Sequence, residues 1–268
     1  MQMKSFFKLA SISLQSQMYY RIGFFMNLLT PLVLLGGQFL LWNALYGKDS
    51  GGDNIAGYTR SAMFTYILFA FCINNLLTWS TENALSREIR TGTIVSRCIK
   101  PVGFLNQSLS AMSGSIIPQG IMNFSIGIAI LLIFNKWFLI PDIEKIPLFI
   151  ISLILALILR MLLVHVFSLL CFYTTSHLGI TWTRMALTDF FSGAVIPVAL
   201  FPGWLKAISY YLPFPFMIQT PLSILQGQEL PMPVAQTYLV QLFWIFIMLI
   251  LHTLMYGHIR KNMTIAGG

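Results

Sequence analysis

The charged residues with the clearest functional potential lie in one short segment, SREIRTGTIVSRCIKPVG, between two very hydrophobic stretches. It carries Arg87, Arg90, Arg97 and Lys100, although only 9% of the 268 residues are charged. On a helical wheel the arginines fall opposite the apolar residues, and Glu88 falls among the apolar ones. Such a segment can rest on anionic lipid headgroups, or it can dock against a cytoplasmic partner and transmit force.

Two residues divide this segment. Gly92 weakens a continuous helix by about 1 kcal/mol relative to Ala, and Pro101 cannot continue a helix. The sequence therefore predicts two short helices that meet near Thr91 and Gly92, with Pro101 ending the second.

Arg160 is the most unusual charge, because it lies near the middle of a long apolar stretch. Inserting an arginine at that depth costs about 2.5–3.5 kcal/mol unless the charge is compensated. Asp189 is the partner that we predict, and His165 lies nearer on the same helix. The two interpretations are a structural ion pair and a contact with a transported substrate.

Nothing in the sequence is typical of a catalytic or metal site. The four histidines and eight acidic residues are dispersed, no HExxH or DxxD pattern occurs, and the three cysteines form no CxxC pair. A GxxxxGK[ST] phosphate loop is also missing. We predict no catalytic residue, no metal and no cofactor in this chain. The net charge of +8 is explained by the basic cytoplasmic loops of membrane proteins rather than by nucleic-acid binding.

The elements that position these residues are predicted to be membrane helices. Of the residues, 57% are hydrophobic, and a run of about 20 apolar residues is long enough to cross a bilayer core. No apolar signal-peptide core is expected near the N terminus. The predicted spans cover 22–46, 61–79, 110–134, 147–172, 185–201 and 237–256.

Three further segments complete the predicted all-α membrane fold. Residues 4–20 have a basic, polar stripe opposite an apolar one, which is typical of a helix in the headgroup plane. Residues 202–228 are apolar but broken by four prolines, which favours short re-entrant or interfacial helices. Residues 81–101 connect spans two and three. With both termini in the cytoplasm, the inner segments carry twice as many lysines and arginines as the outer ones.

The sequence resembles the ABC-2 type transporter permeases over nearly its whole length. EIRTGTIVSRCIKPVG resembles the segment that follows their second span, and FFSGAVIPVALFPGWLKAISYYLPF is similar to their fifth-span signature. The end, IRKNMTIAGG, resembles the closing basic stretch and Gly-Gly of one bacterial branch.

This resemblance implies a half-transporter of a bacterial exporter in the cytoplasmic membrane. Two ATPase subunits, which would hold the ATP and Mg²⁺, would dock beneath two permease subunits that are identical or related. Residues 81–101 would be the coupling helix, and the substrate would be amphipathic or lipophilic. The residues predicted to couple the chain to the ATPase are Glu88, Ile89, Gly92, Val95, Arg97, Ile99 and Pro101.

In ABC-2 relatives spans two and five face the central pathway. On span two the sequence offers Asn74, Asn75 and Thr78, which either line that pathway or form hydrogen bonds between helices. On span five Ser192, Gly193 and Pro197 either kink the helix at the cavity or form a packing site for small residues.

Two other classes of protein remain as alternatives. A stand-alone channel or secondary transporter would be supported by inverted repeats, and a membrane-embedded lipid-modifying enzyme by a cluster of acids, histidines or a nucleophile at one depth. Co-purification with a soluble ATPase would separate these alternatives from an ABC permease.

Overall fold

The computed structural model describes residues 2–19, 21–47, 54–77, 79–174 and 177–262. A two-stranded antiparallel hairpin, β1 (Asn54–Ile55) and β2 (Tyr58–Thr59), precedes the third helix. The α-helices in these ranges are α1 (Gln2–Tyr19), α2 (Arg21–Gly47), α3 (Arg60–Asn74), α4 (Trp79–Thr91), α5 (Val95–Cys98), α6 (Phe104–Ile133), α7 (Ile146–Leu169), α8 (His177–Phe191), α9 (Gly203–Tyr210), α10 (Gln219–Gln226) and α11 (Val234–Asn262).

Among the described residues, four helical stretches are long and apolar enough to cross a membrane. They overlap the predicted spans one, three, four and six, so the all-α membrane class is confirmed. α3 is apolar but shorter. The four stretches are Leu29–Gly47, Phe104–Ile133, Ile143–Phe172 and Val234–Lys261.

The second predicted span, 61–79, is divided in the structure. Thr59 caps the start of α3 by accepting a hydrogen bond from the Ala62 amide at 3.3 Å. At the other end, the Asn75 side chain donates to the Phe71 carbonyl at 2.8 Å. An asparagine that bonds the backbone in this way favours a helix end over a helix interior. Residues 75–77 therefore form a turn, and α4 begins as a separate helix.

The bounds predicted for span five, 185–201, are wrong. α8 starts at His177, within the predicted linker, and ends at Phe191. Gly193 then has φ +86°, a conformation that glycine adopts readily. The Ser192 carbonyl accepts a hydrogen bond from the Gln219 amide at 2.9 Å instead of continuing the helix. Ser192, Gly193 and Pro197 therefore follow the helix and do not kink it.

The proline-rich segment 202–228 forms two short helices, α9 and α10, joined by a turn that contains Pro213 and Pro215. Every residue of α10 is buried, and the helix packs against α3 and α7. The short helices agree with the proline pattern. Their re-entrant position remains a prediction.

The N-terminal helix α1 packs along α6. Ser13 donates a hydrogen bond to the Ala111 carbonyl at 2.7 Å. One turn later Gly114 lies directly against Ala10, and a Cβ there would collide with the Ala10 carbonyl and with the Ser13 side chain. The small residue is what allows the two helix backbones to approach so closely.

We expect Gly114→Ala to displace α1 from α6, because overpacking of this kind costs about 1–3 kcal/mol. The unfolding midpoint of the purified protein in detergent should fall, and α1 should become more sensitive to protease. Gly36→Ala is the matched control, since nothing lies within 4 Å of a Cβ at that helical position. Equal midpoints for the two variants would contradict this account of α1.

Candidate functional site

The predicted coupling segment folds into a helical hairpin. α4 ends at Thr91, and Gly92 has φ +73°, as is common just after the end of a helix. The chain then turns into α5, and the Ile94 amide donates to the Glu88 carbonyl at 3.2 Å. The prediction of two short helices that meet near Thr91 and Gly92 is thereby confirmed, but the second helix ends at Cys98, before Pro101.

An ion pair joins the two arms of the hairpin. The Arg97 guanidinium binds both carboxylate oxygens of Glu88, with Nη2 2.8 Å from Oε1. Such bidentate pairs fix side-chain geometry as well as charge. Gln107 of α6 donates to the carbonyls of Arg97 and Val102 at 2.9 and 2.7 Å. The hairpin is therefore fastened internally and also to the following helix.

The apolar face of the hairpin is largely covered by its own subunit. Ile89 is 9% exposed and packs with Leu85, Ile94 and residues of α6 and α11. The prediction that Ile89 contacts the ATPase directly is therefore wrong for this conformation. A helical wheel identifies an apolar face but cannot tell whether the same chain covers it. The structure instead leaves Ile99 79% exposed.

A surface groove of about 510 Å³ runs beside the hairpin. Its walls come from α1, from the hairpin and from the start of α6, and they combine apolar, polar and charged side chains. Val95 is partly buried, and Lys100 and Pro101 are exposed nearby. The lining residues are Leu9, Ile12, Ser13, Glu88, Thr93, Ser96, Arg97, Lys100, Gln107 and Ala111.

At the other end of α4, the Glu82 carboxylate lies between two arginines. Arg160 of α7 donates to Oε1 through Nε and Nη2, at 3.1 and 3.0 Å. Arg184 of α8 donates to Oε2 at 2.8 Å. All three side chains are at least 92% buried. We call Glu82, Arg160, Arg184, Asn74 and Asp189 the charge network.

The predicted ion pair between Arg160 and Asp189 is wrong for this conformation. Arg160 donates through Nη1 to the Asn74 side-chain oxygen at 3.0 Å, and the Asn74 amide donates to Asp189 at 3.4 Å. Asp189 is thus connected to Arg160 through one amide group. His165 is not a partner either, because its Nε2 lies 3.0 Å from Nδ1 of His252.

Sequence reasoning missed Glu82 and Arg184. Both were assigned to cytoplasmic segments, on the assumption that span two ends at residue 79 and that span five begins at residue 185. The available signal was Arg160 itself, since a buried guanidinium requires a carboxylate at its own depth. Glu82 lies only three residues, or about one helical turn, after the predicted end of span two, and it would have met that requirement.

The pathway candidates on span two form contacts between helices. Asn74 bridges Arg160 and Asp189, and the Asn75 carbonyl accepts a hydrogen bond from Asn123 at 2.9 Å. Thr78 lies outside the described residues. The pathway candidates predicted on span five, Ser192, Gly193 and Pro197, are buried. Their pathway role remains a prediction.

Gly193 is enclosed by polar side chains rather than by an open cavity. Its carbonyl accepts a hydrogen bond from the Tyr66 hydroxyl at 2.7 Å, and a Cβ would lie 2.8 Å from the Gln219 side-chain oxygen. The site therefore packs a small residue closely, as the second interpretation of this signature expects. Within the described ranges, no group of three or more His, Cys, Asp or Glu residues could hold a metal ion.

We expect Glu82→Gln to destabilise the protein by about 3–5 kcal/mol, because it removes the carboxylate that bonds both buried arginines in this conformation. A large fall in the unfolding midpoint in detergent would show this. Glu144→Gln is the matched control, since Glu144 is exposed in the loop before α7. If both variants have the same unfolding midpoint as the wild type, Glu82 does not compensate the charges of the two arginines.

A comparison with models of protein families identifies the family of this chain. No curated protein matches the chain. The model of one family, described as ABC-2 family transporter protein, matches residues 32–267. That match confirms the resemblance to ABC-2 permeases and makes the chain an integral membrane permease that works with an ABC ATPase. The chain belongs to the ABC-2 transporter family.

Proposed function

We propose that this chain is the permease half-subunit of an ATP-driven exporter in a bacterial cytoplasmic membrane. Two ATPase subunits dock on its cytoplasmic side, and a second permease, identical or related, completes the pathway. The carrying observation is that α4 runs from the exposed hairpin to the buried charge network.

α4 acts as a rigid lever in this proposal. Its 13 residues extend about 20 Å at 1.5 Å per residue. The hairpin end is tied by the Glu88 and Arg97 pair, and the Glu82 end is bonded to α7 and α8. A displacement of the hairpin therefore moves the Glu82 carboxylate against two other helices.

The ATPase docks on the exposed part of the hairpin and on the neighbouring groove. Ile99 is the apolar contact, and Lys100 and Pro101 flank it at the surface. Leu9 and Ile12 of α1 form an apolar wall on the opposite side of the groove. An exposed apolar side chain within a polar rim is typical of a protein interface.

ATP and Mg²⁺ are held by the partner, and this chain contributes neither catalytic residues nor a metal site. The sequence has no phosphate loop. The transported substrate is amphipathic or lipophilic in this proposal, because the apolar and weakly charged spans favour such a cargo.

We expect Ile99→Asp to abolish stimulation of the ATPase by the permease, because a carboxylate at the docking contact would have to be desolvated. The test is co-purification with the co-expressed ATPase, followed by ATP turnover in proteoliposomes. Ile143→Asp is the matched control, because Ile143 is equally exposed, at 81% compared with 79%, but lies before α7.

Two outcomes would contradict the proposal. If Ile99→Asp and Ile143→Asp retain the same turnover, the ATPase does not dock at Ile99. If the wild-type chain binds no ATPase and moves solutes without ATP, the channel or secondary-transporter alternative is correct.

The proposed lever requires that the hairpin is held firmly to α4 and that its surface is exposed to the ATPase. We expect the double variant Glu88→Ala with Gly92→Pro to lose most of the stimulation per bound ATPase, because the ion pair and the turn that fix the hairpin to α4 are both removed. Turnover per bound ATPase is the measurement. Normal stimulation by the double variant would remove the coupling role of the hairpin.

A further inference from the structure

Asp189 is the unmatched member of the charge network. The network contains two arginines and two carboxylates, but both arginines bond Glu82. Asp189 has only the Asn74 amide, at 3.4 Å, and forms no ion pair with any described residue. The four charges sum to zero, but both arginines are paired with one carboxylate and the other carboxylate has no arginine.

This pairing is electrostatically uneven. Glu82 with two arginines carries a net positive charge, and burying an uncompensated charge costs several kcal/mol. Ionised Asp189 balances that charge only from a distance. A second arrangement, in which Arg184 keeps Glu82 and Arg160 bonds Asp189, would contain two complete ion pairs. The same four side chains therefore fit two different sets of partners.

The positions of the helices allow these two arrangements to interchange. Arg184 and Asp189 lie on the same helix, five residues or about 7.5 Å apart along α8. Glu82 lies on α4, which a turn separates from α3. If α4 and α8 shift together against α7, Arg184 stays on Glu82, and Arg160 can bond Asp189 instead, because only the Asn74 amide separates the two side chains.

We infer that Arg160 exchanges its carboxylate partner during the transport cycle, from Glu82 in the present conformation to Asp189 after α4 has moved. Asn74 already bonds both Arg160 and Asp189 and so lies on the path between the two pairings. Arg160 and Asp189 are positioning residues in this scheme and have no contact with the substrate. The movement of α4 rests on the proposed function, but the competition between the two carboxylates does not.

The first test needs only the purified permease. Asp189→Asn alone should lower the unfolding midpoint far less than Glu82→Gln does, because Asp189 forms no direct ion pair in the resting conformation. In the Glu82→Gln background Arg160 turns to Asp189, so the same substitution should then lower the folding equilibrium constant by at least about fivefold beyond the sum of the single effects. Additive effects would overturn the exchange.

The second test uses the permease with its ATPase in proteoliposomes. Asp189→Asn should reduce stimulated ATP turnover by at least about fivefold, the size of a modest coupling between sites. Asp142→Asn is the matched control, because Asp142 is exposed in a surface pair with Lys145. Turnover equal to that of the control, or a resting midpoint lowered as far as in Glu82→Gln, would also overturn the exchange.

The two tests separate this inference from the proposed function. If the wild-type permease gives no stimulated turnover, the proposed function fails, and the background-dependent stability of Asp189→Asn still decides whether the carboxylates compete. If the wild type is stimulated and Asp189→Asn behaves like Asp142→Asn, only the exchange fails. If the Glu82→Gln protein does not fold, Glu82→Asp provides the background, because its shorter carboxylate cannot reach both arginines.

Discussion

One carboxylate, Glu82, determines how the rest of this membrane protein can be arranged. Arginines on α7 and α8 would be costly at this depth without it, since neither has another carboxylate within ion-pair distance among the described residues. It also holds α4 against both helices. Because α4 continues to the exposed hairpin, the same interaction that makes the buried arginines tolerable also joins the hairpin surface to the spans.

The half of the molecule around α3, before the turn at residues 75–77, is organised differently. There the neutral side chain of Gln219 takes the central place and accepts hydrogen bonds from the Tyr66 hydroxyl and the Val198 amide, at 2.6 and 3.1 Å. Its own amide donates to Tyr58 and Ser223. The single Tyr66 hydroxyl proton is shared with the Gly193 carbonyl, and the buried Gln219 amide uses both its oxygen and its nitrogen. A neutral network of this kind rigidifies its surroundings. In the exchange inferred for the charge network, Arg160 has two alternative carboxylates, so movement is expected at that end.

Local sequence signals predicted local structure well. Gly92 marked the turn of the hairpin, and the prolines of segment 202–228 marked short helices in place of a straight span. Apolar length identified the helices of spans one, three, four and six. The same signals failed where a polar side chain ended a helix inside an apolar run, as at Asn75, and where α8 began in the polar stretch from His177. At Asn75 a hydrogen bond between the side chain and the backbone outweighed hydropathy.

By itself the sequence determined the membrane environment, the helical class and the family, because these depend on composition, apolar length and motif order. It also identified Arg160 as a charge that needed a partner. Only the tertiary structure decided that the partner is Glu82, that Ile89 is covered and that Ile99 is not. Those outcomes depend on the depth and rotation of each helix against its neighbours. Helix ends set that depth, and the displaced bounds of α3 and α8 are what brought Glu82 and Arg184 to Arg160.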